Sequence, residues 1–249
     1  MVQYSFTKTK IEDHIEKIGV EVRPVIEHRL EEQHMFRFYQ DLVDKLPNLF
    51  ESLLKSPVDL QVRKKLVFPG KGEVDAITLG ITQKGPVFMV PRKISIFDEE
   101  TSFGDIIDIA TQCIDIFKKN FPHKTICRVG HVNEYIFTLG SENSIPFLAK
   151  RFTRIMVPPN GEIELKVNRP TDDHNRIIQL RPAVKKQIRP NIAEIEDVKA
   201  YRLRVVVDFN NRDMSRSLDN DDIRTIIQSS MQYNDKDLYA FLNGYSEEE

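Results

Sequence analysis

The chain has 249 residues, enough for one large domain or two small ones, and its 40% hydrophobic content with 15 Phe excludes a natively disordered chain. A formal net charge of −2 excludes a protein coated with basic charge for nucleic acid. Cys113 and Cys127 match no paired-ligand spacing and lie in apolar stretches, so they read as buried free thiols in a reducing cytosol.

Residues 1–16 are polar, carry no apolar run of the signal-peptide kind, and read as a flexible N-terminus. No stretch reaches the ~20 apolar residues of a membrane span. The expectation is a soluble cytoplasmic protein that makes no membrane contact.

The first strand signal is Gly19 to Val25, with Val20 and Val22 on one face and Pro24 ending it. From His28 the period changes. Leu30, His34, Phe38, Leu42 and Leu46 recur every four residues, which predicts an amphipathic helix broken at Pro47. Leu49, Phe50, Leu53 and Leu54 read as a shorter helical continuation to Lys55. Strand signals follow at Leu60–Phe68, at Glu73–Ile81 (Asp75, Ile77, Leu79 and Ile81 on one face), and from Val87 to Phe97 beyond the Gly85-Pro86 turn. Ser102 with Asp105 three residues on predicts a helix start, and Ile106, Ala110, Cys113 and Phe117 form its buried stripe. Lys118 and Lys119 suit its C-terminal dipole, and Pro122 stops it.

The order then repeats. Thr125–Leu139 reads as a long strand with Cys127, Val129, His131, Asn133, Tyr135, Phe137 and Leu139 on one face. A short helix is predicted around Pro146–Phe152. Further strands are predicted around Ile163–Val167, at Arg176–Arg181 and at Tyr201–Phe209. In the last, Leu203, Val205, Val207 and Phe209 face one side while Arg202, Arg204 and Asp208 face the other. Helical segments at Asp219–Gln232 and Asp235–Leu242 follow, and Gly244 is placed as a stop. The reading is an α+β fold: one extended antiparallel sheet from two β-α-β-β-β-α-like halves, residues 17–122 and 123–249, with helices on one face. No Gly/Ser/Pro linker separates the halves, so they form one continuous domain.

No catalytic or cofactor signature emerges. His28 and His34 are six apart and fall on different helix sides, and no cysteine pair has zinc spacing, so neither metal nor cofactor is expected. Cys127 and His131 share a strand face ~13 Å apart, too far for a Cys–His pair. His131 and Asn133 read as hydrogen-bonded core polars. The residues Phe68-Pro-Gly-Lys-Gly72 lack Walker spacing and read as a hairpin turn. The acids Asp208, Asp213, Asp219, Asp221 and Asp222, with Asn210, form the one place suited to a hard cation. Helix capping by Ser217, Asp219 or Asp222 accounts for most of them.

Charge distribution has more content. Between Lys150 and Arg189 ten Lys/Arg face four acids, whereas from Leu218 onward eight acids face two bases. The basic stretch reads as a solvated face, as one that meets an acidic protein partner, or as one that follows a phosphate backbone, and the absence of interleaved aromatics argues against base stacking. Lys185, Lys186, Arg189, Arg202 and Arg204 are the expected partner-binding residues.

The strand Arg128-Val-Gly-His-Val-Asn133, together with Leu203–Phe209 ending in Asp208 and the helical tail Ile223–Leu242, resembles a sporadically distributed family of uncharacterised prokaryotic proteins of about 250 residues. The likeness spans residues 16–243 by element order, and His131 stands where that family's strand has Arg. It implies an α+β protein without assigned activity, in a regulatory or defence setting of prokaryotes. The functional expectation is a non-enzymatic adaptor or regulatory protein that binds another protein. Nucleic-acid binding through residues 150–204 is the first alternative, and a divalent-metal-dependent hydrolase or nuclease the second. A small-molecule ligand is not expected.

Overall fold

The computed structural model describes residues 4–7, 15–24, 31–47, 49–50, 52–55, 60–68, 72–82, 85–91, 103–122, 125–140, 142–159, 161–183 and 202–244. Among them are nine strands in one antiparallel sheet, ordered β2-β3-β4-β5-β1-β6-β9-β8-β7. In the first half, β1 (Ile15–Pro24) leads to helix α1 (Glu32–Lys45). A meander follows through β2 (Ser52–Lys55), β3 (Leu60–Phe68), β4 (Gly72–Thr82) and β5 (Gly85–Pro91). Helix α2 (Phe103–Asn120) closes this half. The second half runs β6 (Ile126–Thr138), α3 (Ser144–Phe152), β7 (Leu165–Asn168), β8 (His174–Pro182), β9 (Arg202–Asn211), α4 (Asn220–Lys236) and α5 (Leu238–Leu242).

The two halves share one wiring. In each, the first strand is followed by a helix that carries the chain to the far sheet edge, and the meander returns until its last strand pairs with the first. The two first strands, β1 and β6, pair antiparallel at the centre, with Val20 opposite His131 and Ile18 opposite Asn133. The sheet is therefore continuous through both halves, and the α+β architecture with a single extended antiparallel sheet is the one the periodicity predicts.

One element differs. The segment expected to extend the first helix forms β2, so the first half is β-α-β-β-β-β-α. Leu53 and Leu54 pair with Val62 and Gln61 of β3. Pairing with the next strand, β3, overrides the local helical spacing once Pro47 has ended α1. The N-terminal expectation also needs revision at Phe6, which is buried against Phe137 (5.0 Å between ring centroids) and Phe147 (6.1 Å). Ile15 is likewise buried within β1. Ser102 and residues 25–30 and 92–100, on which other expectations rest, lie outside the described residues.

The core lies on one face of the sheet. Alternation brings Ile18, Val20 and Val22 of β1, Val129, Tyr135 and Phe137 of β6, and Leu203, Val205 and Val207 of β9 to that side. Phe117 of α2 stacks on Phe121 at 4.9 Å and meets Phe38 of α1 edge-on at 6.4 Å. Lys119 and Asn120 donate to Asp41, joining these two helices at their rim and holding the Asp41 carboxyl below its usual range. Cys113 and Cys127 are buried and free, and burial pushes the Cys113 thiol up.

At the end of the β6–β9 ladder a side chain takes over from the backbone. Asn211 accepts from the Val129 amide (2.8 Å) and donates to the Cys127 carbonyl (2.9 Å). Truncating it orphans a buried N–H. Asn211→Ala should cost about 2 kcal/mol in urea unfolding, and a change below about 0.5 kcal/mol would contradict this account.

Candidate partner-binding face

The opposite face of the sheet is covered by no helix among the described residues, and its composition follows from the alternation that built the core. Lys17, Glu21 and Arg23 of β1, Arg128 and Glu134 of β6, Arg202, Arg204, Asp208 and Asn210 of β9, and Asn175, Gln179 and Arg181 of β8 all point to this side. Two polar regions lie on its β1-β6-β9-β8-β7 part.

The first crosses the central strands. Arg128, its side chain only 11% exposed, lies between Glu21 (3.6 Å) and Asp208 (3.5 Å). Arg23 binds the same Glu21 carboxylate at 2.6 Å. From Asp208 a ladder of amides runs outward: Asn210 donates to Asp208 (3.0 Å), Asn175 to Asn210 (3.2 Å) and Asn168 to Asn175 (3.4 Å). Gly130 lies beneath this cluster. A Cβ there would come to 3.3 Å from Asp208 Oδ1, so the glycine leaves room for the ion pair. Two cations and two carboxylates balance here, although the buried Arg128 Nη1 makes no hydrogen bond among the described residues, and a network of this kind orders the surface more than it attracts a ligand.

The second region is a basic corner. Arg181 of β8 lies directly opposite Arg204 of β9, and Arg202 follows two residues before Arg204 on the same face. Lys166 of β7 joins them from the row through Gln179 and Val206. Arg204 is paired with Glu134, and Gln179 with Glu164. Lys166, Arg181 and Arg202 have no carboxylate partner among the described residues. Like charges directly opposite are unfavourable in a strand pair, and the Glu134 carboxylate on Arg204 offsets part of that repulsion.

Of the residues expected to bind a partner, Arg202 and Arg204 are thus brought to one face. Lys185, Lys186 and Arg189 lie outside the described residues, in the chain between β8 and β9. Arg181 and Lys166 belong to the corner and were counted only as part of a basic stretch. Cross-strand register places them there, and a single sequence does not contain that register. The rest of the basic excess divides differently. Arg151, Arg169 and Arg176 lie on the helix side, with guanidinium groups 5.5, 5.4 and 5.0 Å from the ring centres of Phe147, Phe241 and Tyr233. These three serve packing.

The other candidates resolve into local roles. Asp219 and Asp222 form a reciprocal capping box at the start of α4. Arg216 grips Asp222 with two bonds of 2.8 and 2.9 Å, and these hold its carboxyl below the usual range. Ser215 does the same for Asp213. Among the described residues no three His, Cys, Asp or Glu side chains converge as metal ligands. His131 and Asn133 are fully buried beneath α4. His131 Nδ1 meets Ser230 Oγ at 2.9 Å, but Nε2 and both amide atoms of Asn133 have no partner. The expectation of hydrogen-bonded core polars thus holds for the burial of both and for one nitrogen of His131.

No helix among the described residues is long and apolar enough to cross a membrane. No protein-family model matches the chain, and no curated protein matches it.

Proposed function

We propose that this is a non-enzymatic adaptor or regulatory protein that binds an acidic surface of another protein through the basic corner of its helix-free sheet face. The observation that carries this reading is the cluster of Lys166, Arg181, Arg202 and Arg204. Three of these four cations lack a carboxylate partner among the described residues. Cations concentrated on an otherwise internally paired face steer an oppositely charged partner and suppress wrong ones. Arg202 and Arg204 stand on a central strand whose other side is core, so the positions of their backbones are fixed before binding. A nucleic-acid partner is the second reading. It draws on the same four cations, but the described part of this face offers no exposed aromatic on which a base could stack.

The test compares proteins retained from the native host by the tagged wild type and by an Arg181→Glu/Arg202→Glu variant, each with and without nuclease. A stoichiometric protein that survives nuclease and falls at least roughly tenfold in affinity for the variant supports the proposal, with the difference shrinking at high salt. Retention that disappears with nuclease moves the assignment to nucleic acid. Equal retention by both proteins removes the sheet face from consideration.

A further inference from the structure

A second surface lies along α3 and is lined by none of the residues of the basic corner. Helix α3 stops at Phe152, and Thr153 caps it by donating to the Ala149 carbonyl (2.8 Å) while accepting from the Ile155 amide (3.1 Å). The chain that follows turns back alongside the helix. Asn143, the N-cap of α3, donates to the Pro159 carbonyl, and the Gly161 amide donates to the Pro158 carbonyl (2.9 Å). Both ends of the returning segment are therefore held, and a groove of about 440 Å³ is left between segment and helix.

The lining of this groove is apolar. Pro146, Ala149 and Thr153 fall on one stripe of α3, with Ile155, Met156 and Val157 opposite. Ile155 is 68% and Met156 96% exposed, among the few large apolar side chains that the fold leaves in water. Two adjacent exposed apolar residues beside a groove of this volume form a concave apolar surface of the kind that ligands and partner segments occupy. The rim adds a sign. Lys150 and Arg154 line the same groove, and neither has a carboxylate partner among the described residues. The neighbouring Arg151 is turned the other way and engaged by the Leu242 carbonyl.

We infer that this groove binds a short segment of a partner protein that carries an apolar anchor flanked by Asp or Glu. The anchor fills the volume between Ala149 and Met156, and its acidic neighbours meet Lys150 and Arg154. Charge complementarity with Lys150 and Arg154 favours acidic residues beside the anchor over neutral or basic ones. The inference rests on the protein-binding reading above but uses different residues, so the two can fail separately. Methionine at the mouth suits this role, because its unbranched, polarisable side chain adapts to anchors of different shape.

The experiment pans a random twelve-residue peptide phage library on the full-length protein. Enriched peptides are then re-measured on an Ile155→Asp/Met156→Asp variant, a Lys150→Glu/Arg154→Glu variant and the Arg181→Glu/Arg202→Glu variant. Ile155 and Met156 are solvent-exposed, so their substitution leaves the fold intact, which circular dichroism verifies. The expected result is a consensus joining Leu, Ile or Phe to Asp or Glu. Its affinity should fall at least tenfold on either groove variant and stay unchanged on the sheet-face variant. Failure to enrich any consensus overturns the inference, as does a consensus without acids or one indifferent to the groove variants. So does concentration-dependent dimerisation of the wild type that Met156→Asp abolishes, since the groove's occupant is then a second copy.

Discussion

Acidification from pH 7 to pH 4 is expected to remove about 3 kcal/mol of stability through His131 alone. This side chain is fully buried in β6 against Val20, Phe209 and Ser230, with no charged group acting on it among the described residues. Burial lowers its pKa from 6.5 to about 4, because the imidazolium ion cannot keep its hydration there. The unfolded chain takes up a proton near 6.5, whereas the folded protein resists until about 4. Above 6.5 both states are neutral and the full stability is present. Between 6.5 and 4 the unfolded state alone gains the proton, so stability falls with pH, and below 4 the loss levels off. His131→Gln, neutral throughout, should be weaker at pH 7 yet lose much less on acidification. Urea unfolding at pH 7.0, 5.5 and 4.5 measures both slopes. Parallel curves for wild type and variant would show that the acid sensitivity lies elsewhere.

Arg151→Met should lower the melting temperature by roughly 5–10 °C, the consequence of about 3 kcal/mol in a chain of this size. Arg151 Nε donates to the Leu242 carbonyl at 2.7 Å, and its two terminal nitrogens reach Asn243 Oδ1 (3.1 Å) and the Tyr4 carbonyl (3.3 Å). Asn243 in turn binds the Phe6 amide and carbonyl at 3.0 and 2.7 Å. One guanidinium thus caps the last turn of α5 and clasps the N-terminal segment to α3. Methionine preserves most of the contact with Phe6 and Phe147 but none of the donors. Arg151→Lys restores a charge without the planar fork and should recover less than half of the loss. A melting temperature for Arg151→Met within about 2 °C of wild type would contradict this role for Arg151.

The polar strip under α4 raises a related question of energetics. Asn133 is fully buried with an unpartnered amide, and such a group ordinarily costs about 1–3 kcal/mol. Its place two residues from His131 on the same strand face concentrates that cost at the centre of the sheet, beside the β1–β6 seam.

The elements whose pattern reports burial directly were legible in the sequence. Alternation in Arg202–Asn211 separated Val205 and Val207 from Arg204 and Asp208, because a strand with one dry face and one wet face must alternate. The four-residue recurrence of Phe38 and Leu42, the acids opening α4 and the position of Gly244 at φ +77° were legible for similarly local reasons. The repeated order of elements followed from these.

What depends on pairing between elements came from the assembled fold. Leu53 and Leu54 carry a helical spacing, yet a ladder with the next strand, β3, makes them a strand. The pairing of β1 with β6 and the opposition of Arg181 to Arg204 are matters of register, which alternation leaves open by any even number of residues. The basic stretch from Lys150 looked uniform, but helix and sheet geometry sent Arg151 and Arg176 to aromatic rings, Arg181 to the open face, and Lys150 and Arg154 to a groove. Local periodicity says whether a side chain is buried. Only the assembled fold says which other side chains it meets, and the proposed binding surfaces consist of those meetings.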